Sequence, residues 1–262
     1  MLLKFYKYQG TGNDFILFDN RDNIIDRIND AWVAKICDRH FGIGADGVML
    51  LQNHKEYDFE MIYFNADGKE SSMCGNGGRC MVNFVRMMGP AKEKYRFLAV
   101  DGEHEATINN EIVSLKMQNV GSVFSHQNHW QLNTGSPHYV TFVSGLDKMD
   151  VKSIGAGIRY NEVYMPEGIN VNFLEEKNGI LSIRTYERGV ENETLSCGTG
   201  VTAAAISYAL KKEFGTGTHS VEMETMGGTL KVSFTKTAFN NFENIWLIGP
   251  GKFVFEGQIT YP

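Results

Sequence analysis

Hydrophobic and polar residues in this chain fall into short runs, punctuated by Gly, Asn and Asp. That rhythm predicts many short strands joined by turns. Strands are predicted over residues 14–19, 57–65, 95–100, 112–117, 138–143, 168–174, 181–186 and 221–225, and residues 1–7 alternate in the same way. Within 114–117 and 181–185 apolar and polar positions alternate, as in antiparallel strands with one buried face.

Three segments carry a helical pattern instead. Residues 30–40 open on Asp30 as the N-cap and place Trp32, Val33 and Ile36 on one face. Residues 76–88 and 199–213 are almost wholly apolar, with Gly89 and Gly215 following as C′ residues. A helix apolar all round is a buried helix. The expected fold is therefore α+β: two pseudo-symmetric halves, each a curved, mostly antiparallel sheet wrapped around a central buried helix. The strand pattern gives way to Gly and Ser near residues 118–123, which sets the halves at 1–118 and 119–262. The last strand of the chain is a candidate to pack on the first half.

A duplication supports the two halves. Cys74-Gly75-Asn76-Gly77 and Cys197-Gly198-Thr199-Gly200 share one frame at an offset of 123 residues (197 − 74 = 123), and each opens a predicted buried helix. Gly12-Asn13-Asp14-Phe15 and Gly135-Ser136-Pro137-His138 recur at the same offset (135 − 12 = 123). Folding about a pseudo-two-fold axis would bring the equivalent helix starts together, with the active site in the cleft between the halves.

Composition narrows the function classes. The chain has 262 residues, 42% of them hydrophobic, and a net charge of −6, which fits an ordinary soluble protein. It has no block of like charges, so a nucleic-acid partner is not expected. Residues 1–7 lack the apolar core of a signal peptide, and the most apolar window, 201–210, is too short to span a bilayer. No membrane partner and a cytoplasmic location are expected. Four cysteines without a Cys-x-x-Cys pair argue against a disulfide framework, and His126 and His129 lack grouped partners, so no metal site is expected. Cys37 and Cys80 read as small buried hydrophobes. Residues 42–47 match the dinucleotide fingerprint G-x-G-x-x-G, but a helix precedes the match and a strand follows it. That reverses the order a dinucleotide site requires.

The cysteine frames carry the chemistry. A thiol at a helix start meets the positive end of the helix dipole, which favours thiolate. Flanking glycines let backbone N–H groups approach an anion closely. Two such units facing one another would clamp a carboxylate and place a sulfur on each side of its α-carbon. One thiolate then removes the α-proton, and the opposite thiol returns a proton to the other face. No sequence signal points to pyridoxal phosphate, so no cofactor is expected and electrostatic preorganisation must stabilise the carbanion.

At these residues the sequence resembles the diaminopimelate epimerase family, and it does so along essentially the whole chain. The matching runs are Gly10-Thr11-Gly12-Asn13-Asp14-Phe15, Arg39-His40-Phe41-Gly42-Ile43-Gly44-Ala45-Asp46-Gly47 and Phe64-Asn65-Ala66-Asp67-Gly68. They continue through Met73-Cys74-Gly75-Asn76-Gly77, Ser136-Pro137-His138, Asn170-Val171-Asn172-Phe173, Glu187-Arg188-Gly189-Val190 and Glu193-Thr194-Leu195-Ser196-Cys197-Gly198-Thr199-Gly200. The resemblance implies an isomerase that interconverts LL- and meso-diaminopimelate, a precursor of lysine and peptidoglycan. It implies Cys74 and Cys197 as the acid/base pair, tuned by His138 and Glu187. Gly75, Asn76, Gly198 and Thr199 would hold the reacting carboxylate, and Asn13, Asn65, Asn170, Glu187 and Arg188 the distal end. A homodimer is implied by the resemblance alone.

Two positions depart from the family pattern. Ser136 stands where many members have Asn, and Gly47 where some have a Gln that contacts substrate. Two other readings compete. A proline racemase or hydroxyproline epimerase would show Cys-Gly-His-Gly in the first frame, where this chain has Asn76. A non-catalytic, amino-acid-binding thiol sensor would not need Asn65, Glu187 and Arg188.

Overall fold

The computed structural model describes every residue except Arg27. The chain divides into two compact units, one of Met1–Leu115 with Gly249–Pro262, the other Lys116–Ile248.

The first unit runs β1 (Leu2–Gly10), β2 (Asn13–Asp19), α1 (Asp30–Cys37), β3 (Gly47–Gln52), β4 (Phe59–Asn65), β5 (Glu70–Ser71), α2 (Gly75–Met88), β6 (Lys94–Ala99), β7 (Gly102–Asn109) and β8 (Ile112–Lys116). β1 pairs antiparallel with β2, β2 parallel with β3, and β3 antiparallel with β4. β4 then pairs antiparallel with β5 and parallel with β6, and β6, β7 and β8 continue antiparallel.

The second unit runs β9 (Val123–Ser125), β10 (Trp130–Asn133), β11 (Pro137–Phe142), α3 (Val151–Arg159), β12 (Asn170–Lys177), β13 (Ile180–Glu187), β14 (Asn192–Thr194), α4 (Gly198–Lys211), β15 (Gly217–Thr225), β16 (Gly228–Ala238) and β17 (Asn241–Pro250). The pairings repeat those of the first unit. β10 with β11 is antiparallel, β11 with β12 parallel, β12 with β13 and β13 with β14 antiparallel, β13 with β15 parallel, and β15 to β17 antiparallel. The last strand, β18 (Lys252–Thr260), pairs antiparallel with β1. Adding 123 to the bounds of α2 gives those of α4 (75 + 123 = 198; 88 + 123 = 211), so the duplication read from the cysteines extends through the fold.

Each unit is a mixed sheet with a helix on each face. In the first, α2 packs on β1, β2, β3 and β7, while Trp32, Val33 and Ile36 of α1 pack with Ile16, Phe18, Val48 and Leu50. Covering both faces explains why β2 and β3 read as continuous apolar runs. Phe15 and Met49 point the other way, toward Gly77 of α2. In the second unit α4 packs on β11, β12, β15 and β16, and Val151 of α3 packs with Val171, Phe173 and Tyr186.

Several element ends differ from expectation. Asn29, not Asp30, caps α1: its Oδ1 accepts the Trp32 N–H at 3.2 Å. The helix stops at Cys37, short of residue 40. Gly89 has extended backbone (φ −148°), which any residue adopts. α4 ends at Lys211, before Gly215, and Glu213 takes the left-handed conformation (φ 54°). Phe214 N–H bonds Ala209 O and Glu213 N–H bonds Leu210 O, a Schellman closure without glycine. α3 lies outside the predicted helices because Gly155 and Gly157 lower its helical propensity. Gly155 is fixed by packing, since a Cβ there would sit 2.4 Å from Tyr186 Cβ. Among the described residues no helix is long and apolar enough to cross a membrane.

Candidate active site

Cys74 and Cys197 are the N-cap residues of α2 and α4, both with extended backbone and neither capping its helix through the side chain. The first intrahelical bonds run from Gly78 N–H to Cys74 O and from Val201 N–H to Cys197 O. Residues 75–77 and 198–200 therefore direct their N–H groups out of the helix ends, where an anion is favoured.

Around Cys74 the polar groups form an ordered chain. The thiol donates to Asn13 Oδ1 at 3.5 Å, and Asn76 Nδ2 donates to the same oxygen at 3.3 Å. The Asn13 amide faces this way because its Nδ2 donates to Asp46. Asp46 is paired with Arg39 at 2.7 Å, and Arg39 also pairs with Asp14 at 2.7 Å, which Lys7 meets at 2.7 Å. Burial pushes the Asp14 carboxyl up, but hydrogen bonds from Arg39 and Lys7 outweigh it and hold it below the usual range. On the helix side Arg79, fully buried, donates to Asn76 Oδ1 at 3.0 Å, Thr11 Oγ1 at 3.1 Å, Gly75 O at 3.2 Å and Pro250 O at 3.2 Å. Burial lowers its guanidinium to about 10.

Around Cys197, the thiol lies 3.5 Å from Thr199 Oγ1, and Thr134 Oγ1 donates to Thr199 O at 2.8 Å. Thr202 Oγ1 donates to Gly198 O at 3.0 Å. Asn172 lies against the first turn of α4, and His138 lies beside Asn172. A Cβ on Gly200 would stand 2.4 Å from Asn172 Oδ1 and 3.4 Å from Cys197 Sγ. His138 is fully buried, its Nδ1 lies 3.1 Å from Asn172 Nδ2, and its Nε2 has no hydrogen-bond partner. Burial, with a smaller push from the Arg188 cation, lowers its pKa to about 3.

A second polar cluster in the same unit joins Asn170 and Arg188, two of the residues assigned to the distal end, through Ser136. Asn170 Nδ2 donates to Ser136 Oγ at 2.8 Å, Arg188 Nη2 to the same oxygen at 3.3 Å, and Arg188 N–H to Asn170 Oδ1 at 2.8 Å. Ser136 thus reaches both partners despite its short side chain. Glu187 accepts from Thr194 Oγ1 at 2.8 Å. Asn65 is exposed at the end of β4, where its backbone closes the turn to Gly68 and Lys69. Gly47 leaves no room for a side chain: a Cβ would sit 2.4 Å from Phe64 O. Cys37 and Cys80 have thiols pushed up to about 12 by burial, as inert packing residues.

The groups behind these clusters were not assigned from sequence. Arg79 had one signal, its position four residues after Gly75, which puts it under the same helix end. Lys7 lies on β1 and Arg39 and Asp46 lie in the segment between α1 and β3, and only the fold joins them.

Two like units, each with a cysteine at the start of its central helix, define the class: an α+β protein of the racemase and epimerase fold. Solved structures share that fold. A phenazine biosynthesis protein of the PhzF family from Bacillus anthracis superposes with a TM-score of 0.78 over 100% of both chains, at 13% identity. A hydroxyproline epimerase from Agrobacterium vitis superposes with a TM-score of 0.70 over 98% of this chain and 92% of its own, at 14% identity. Sequence comparison is more specific. The diaminopimelate epimerase family model matches residues 5–123 and 131–251. The chain is 52% identical to the diaminopimelate epimerase of Flavobacterium psychrophilum, covering 98% of this chain and 100% of that one. It is 41% identical to that of Chlorobaculum tepidum, covering 96% and 99%. The chain belongs to the diaminopimelate epimerase family.

Proposed function

We propose that this protein epimerises LL-diaminopimelate to meso-diaminopimelate, a step of lysine biosynthesis, by cofactor-free two-base proton transfer at the α-carbon. The observation that carries the reading is the duplicated cysteine at an anion-binding helix start, in a chain of this family.

Cys74 and Cys197 are the acid/base pair, one abstracting as thiolate and the other donating as thiol. Gly75, Asn76, Gly198 and Thr199 hold the reacting carboxylate through the helix N-termini. Stabilising the charge that develops there is the strongest means of drawing off so weakly acidic an α-proton. Asn13, Asn65, Asn170, Glu187 and Arg188 receive the distal amino-acid end. The guanidinium forks onto the carboxylate, and the Glu carboxylate and amide oxygens accept from the ammonium. His138 and Glu187 tune the thiols. The Asn170–Ser136–Arg188 cluster supports the distal role, because its groups are already held together before any ligand is bound. A homodimer in the cytoplasm, with no nucleic-acid or membrane partner, completes the reading; sedimentation of the purified chain tests the dimer.

The direct test is proton NMR of LL-diaminopimelate with reduced enzyme in deuterium oxide, with L-proline in parallel. Loss of the α-proton signal with growth of the meso isomer, and unchanged proline, is expected. Exchange in proline alone overturns the substrate assignment, and exchange in neither overturns the reaction. Cys74→Ala and Cys197→Ala are each expected to abolish epimerisation, because inversion uses both thiols. Near wild-type inversion by either variant refutes the two-base scheme.

A further inference from the structure

The turn that carries Arg188 differs from its counterpart in the first unit. At an offset of 123, Asn65-Ala66-Asp67-Gly68 corresponds to Arg188-Gly189-Val190-Glu191. Gly68 and Glu191 both have left-handed backbone, with φ of 89° and 55°. Glycine adopts that conformation without penalty, and glutamate does not. A second exchange accompanies the first. Ile36 and Ala45, which share the apolar core of the first unit, correspond to Arg159 (36 + 123 = 159) and Gly168 (45 + 123 = 168). Arg159 is only 9% exposed, and its guanidinium fills the space that a Cβ on Gly168 would need.

The two exchanged residues bond one another. Arg159 Nη2 donates to Glu191 Oε1 at 3.1 Å, and Gly189 N–H donates to the same oxygen at 3.1 Å. Oε2 accepts from Tyr160 OH at 3.0 Å and from Tyr186 OH at 3.3 Å. Burial pushes the Glu191 carboxyl up, but Gly189, Tyr160 and Arg159 together outweigh it and hold it below the usual range. Glu191 N–H closes the turn onto Glu187 O at 2.9 Å. On its other side the turn meets the start of β12: Arg188 N–H donates to Asn170 Oδ1 at 2.8 Å, and Arg188 Nη1 to Glu167 O at 3.2 Å. Arg159 therefore touches both segments that carry the Asn170–Ser136–Arg188 cluster.

Core packing does not account for the arginine. Among the described residues its Nε has no hydrogen-bond partner, and Nη1 meets only Met165 Sδ, at 4.0 Å. A guanidinium so sparsely bonded is a costly core residue, and an isoleucine fills the same position in the first unit.

We infer that Arg159 and Glu191 act together as a brace that fixes the 187–191 turn and so aims Arg188 at the distal carboxylate of the substrate. Both are positioning residues, outside the recognition cluster itself. The aiming role rests on the proposed epimerase reading, but the brace does not.

The double variant Arg159→Ile, Glu191→Gly copies the pair that the first unit already packs and relieves the left-handed glutamate, so it is expected to fold. Amide exchange of Arg188 N–H, read by NMR, reports on the turn through a bond to Asn170 that neither substitution touches. It is expected to quicken about tenfold or more, with the α4 amides unchanged. In the epimerisation assay KM for diaminopimelate is expected to rise about tenfold or more, the worth of one hydrogen bond to a charged group. kcat should stay within about twofold, because a distal contact is made equally in the ground and transition states. Glu191→Gln keeps an acceptor oxygen at the same reach, and both of its effects should fall between the double variant and wild type.

Unchanged Arg188 exchange in the double variant refutes the brace, whatever the reaction proves to be. Faster exchange throughout the second unit, with kcat and KM both impaired, marks a merely structural ion pair and refutes it as well. Faster exchange at Arg188 with unchanged KM, in a protein that epimerises diaminopimelate, refutes the aiming role. A wild-type protein inactive on diaminopimelate refutes the proposed function instead, and the exchange result alone then decides the brace.

Discussion

Gly200→Ala and Gly77→Ala make the same substitution at equivalent helix positions, and the structure assigns them different costs. A Cβ on Gly200 would lie 2.4 Å from Asn172 Oδ1, and one on Gly77 2.0 Å from Met49 Cε. A relaxed carbon–oxygen contact is about 3.3 Å or longer, so Asn172 or the start of α4 must move by roughly 1 Å. Asn172 is held by three hydrogen bonds, to His138 Nδ1 at 3.1 Å, Tyr139 O at 3.0 Å and Thr185 Oγ1 at 3.0 Å. At about 1 kcal/mol each, breaking them costs roughly 3 kcal/mol. Met49 Cε is the free end of a side chain with three rotatable bonds, and moving it costs about 1 kcal/mol. Both alanines recover about 1 kcal/mol of helix propensity. The net expectation is ~2 kcal/mol for Gly200→Ala and close to zero for Gly77→Ala.

Thermal unfolding and the deuterium-exchange assay read both consequences. For a chain of this size ~2 kcal/mol lowers Tm by roughly 4–8 °C. If the α4 start moves, a displacement of about 1 Å beside Cys197 lowers kcat by about 10²-fold. Equal Tm and equal kcat for the two variants would show that Asn172 is not held as described. A Gly77→Ala variant more damaged than Gly200→Ala would reverse the reasoning altogether.

Ser136→Ala removes the shared acceptor of Asn170 and Arg188, at 2.8 and 3.3 Å; KM for diaminopimelate is expected to rise about tenfold with little change in kcat, and an unchanged KM would remove Ser136 from distal recognition. Arg79→Met leaves Asn76, Thr11 and two carbonyls without their buried donor, and is expected to cost about 3 kcal/mol by urea unfolding; a loss under 1 kcal/mol would contradict that network. His138 has a folded-state pKa lowered to about 3 from an unfolded value of 6.5, by burial and then by Arg188. The unfolded chain therefore binds more protons between these values, and the stability His138 contributes is complete above about pH 6.5 and lost as pH falls toward 3. The slope is up to ~1.4 kcal/mol per pH unit; His138→Phe should flatten the urea-unfolding profile over that window, and an unaltered slope would place the imidazole in water.

Comparison of the two halves explains what was legible in the sequence and what was not. The cysteine frames and buried helices were legible because composition and local pattern determine them: an apolar run after Cys-Gly-x-Gly is a helix start wherever it packs. α3 was not, because Gly155 is dictated by Tyr186 across the sheet, a contact with no local signature. The charged network was not legible either, since Lys7 and Asp14 lie on β1 and β2 while Arg39 and Asp46 lie between α1 and β3, and only the fold brings the two stretches together.

A usable signal was present in the duplication itself. Subtracting 123 aligns His138 with Phe15, Asn172 with Met49, Asn170 with Gly47 and Arg188 with Asn65, while Lys7 and Asp46 align with Trp130 and Ile169. Positions that carry the shared fold keep their character: β2 aligns with β11, β3 with β12, and α2 with α4. Positions where one half is polar and the other apolar are those the fold does not constrain. They include Lys7, Asp14 and Asp46 of the charged network in one unit, aligned with Trp130, Pro137 and Ile169, and the His138–Asn172 pair in the other, aligned with Phe15 and Met49. The two thiols thus start from equivalent helix ends but unlike surroundings. An epimerase acting on one centre of a substrate with two amino-acid ends needs that inequality, because a fully symmetric site would bind the distal end no better than the reacting one.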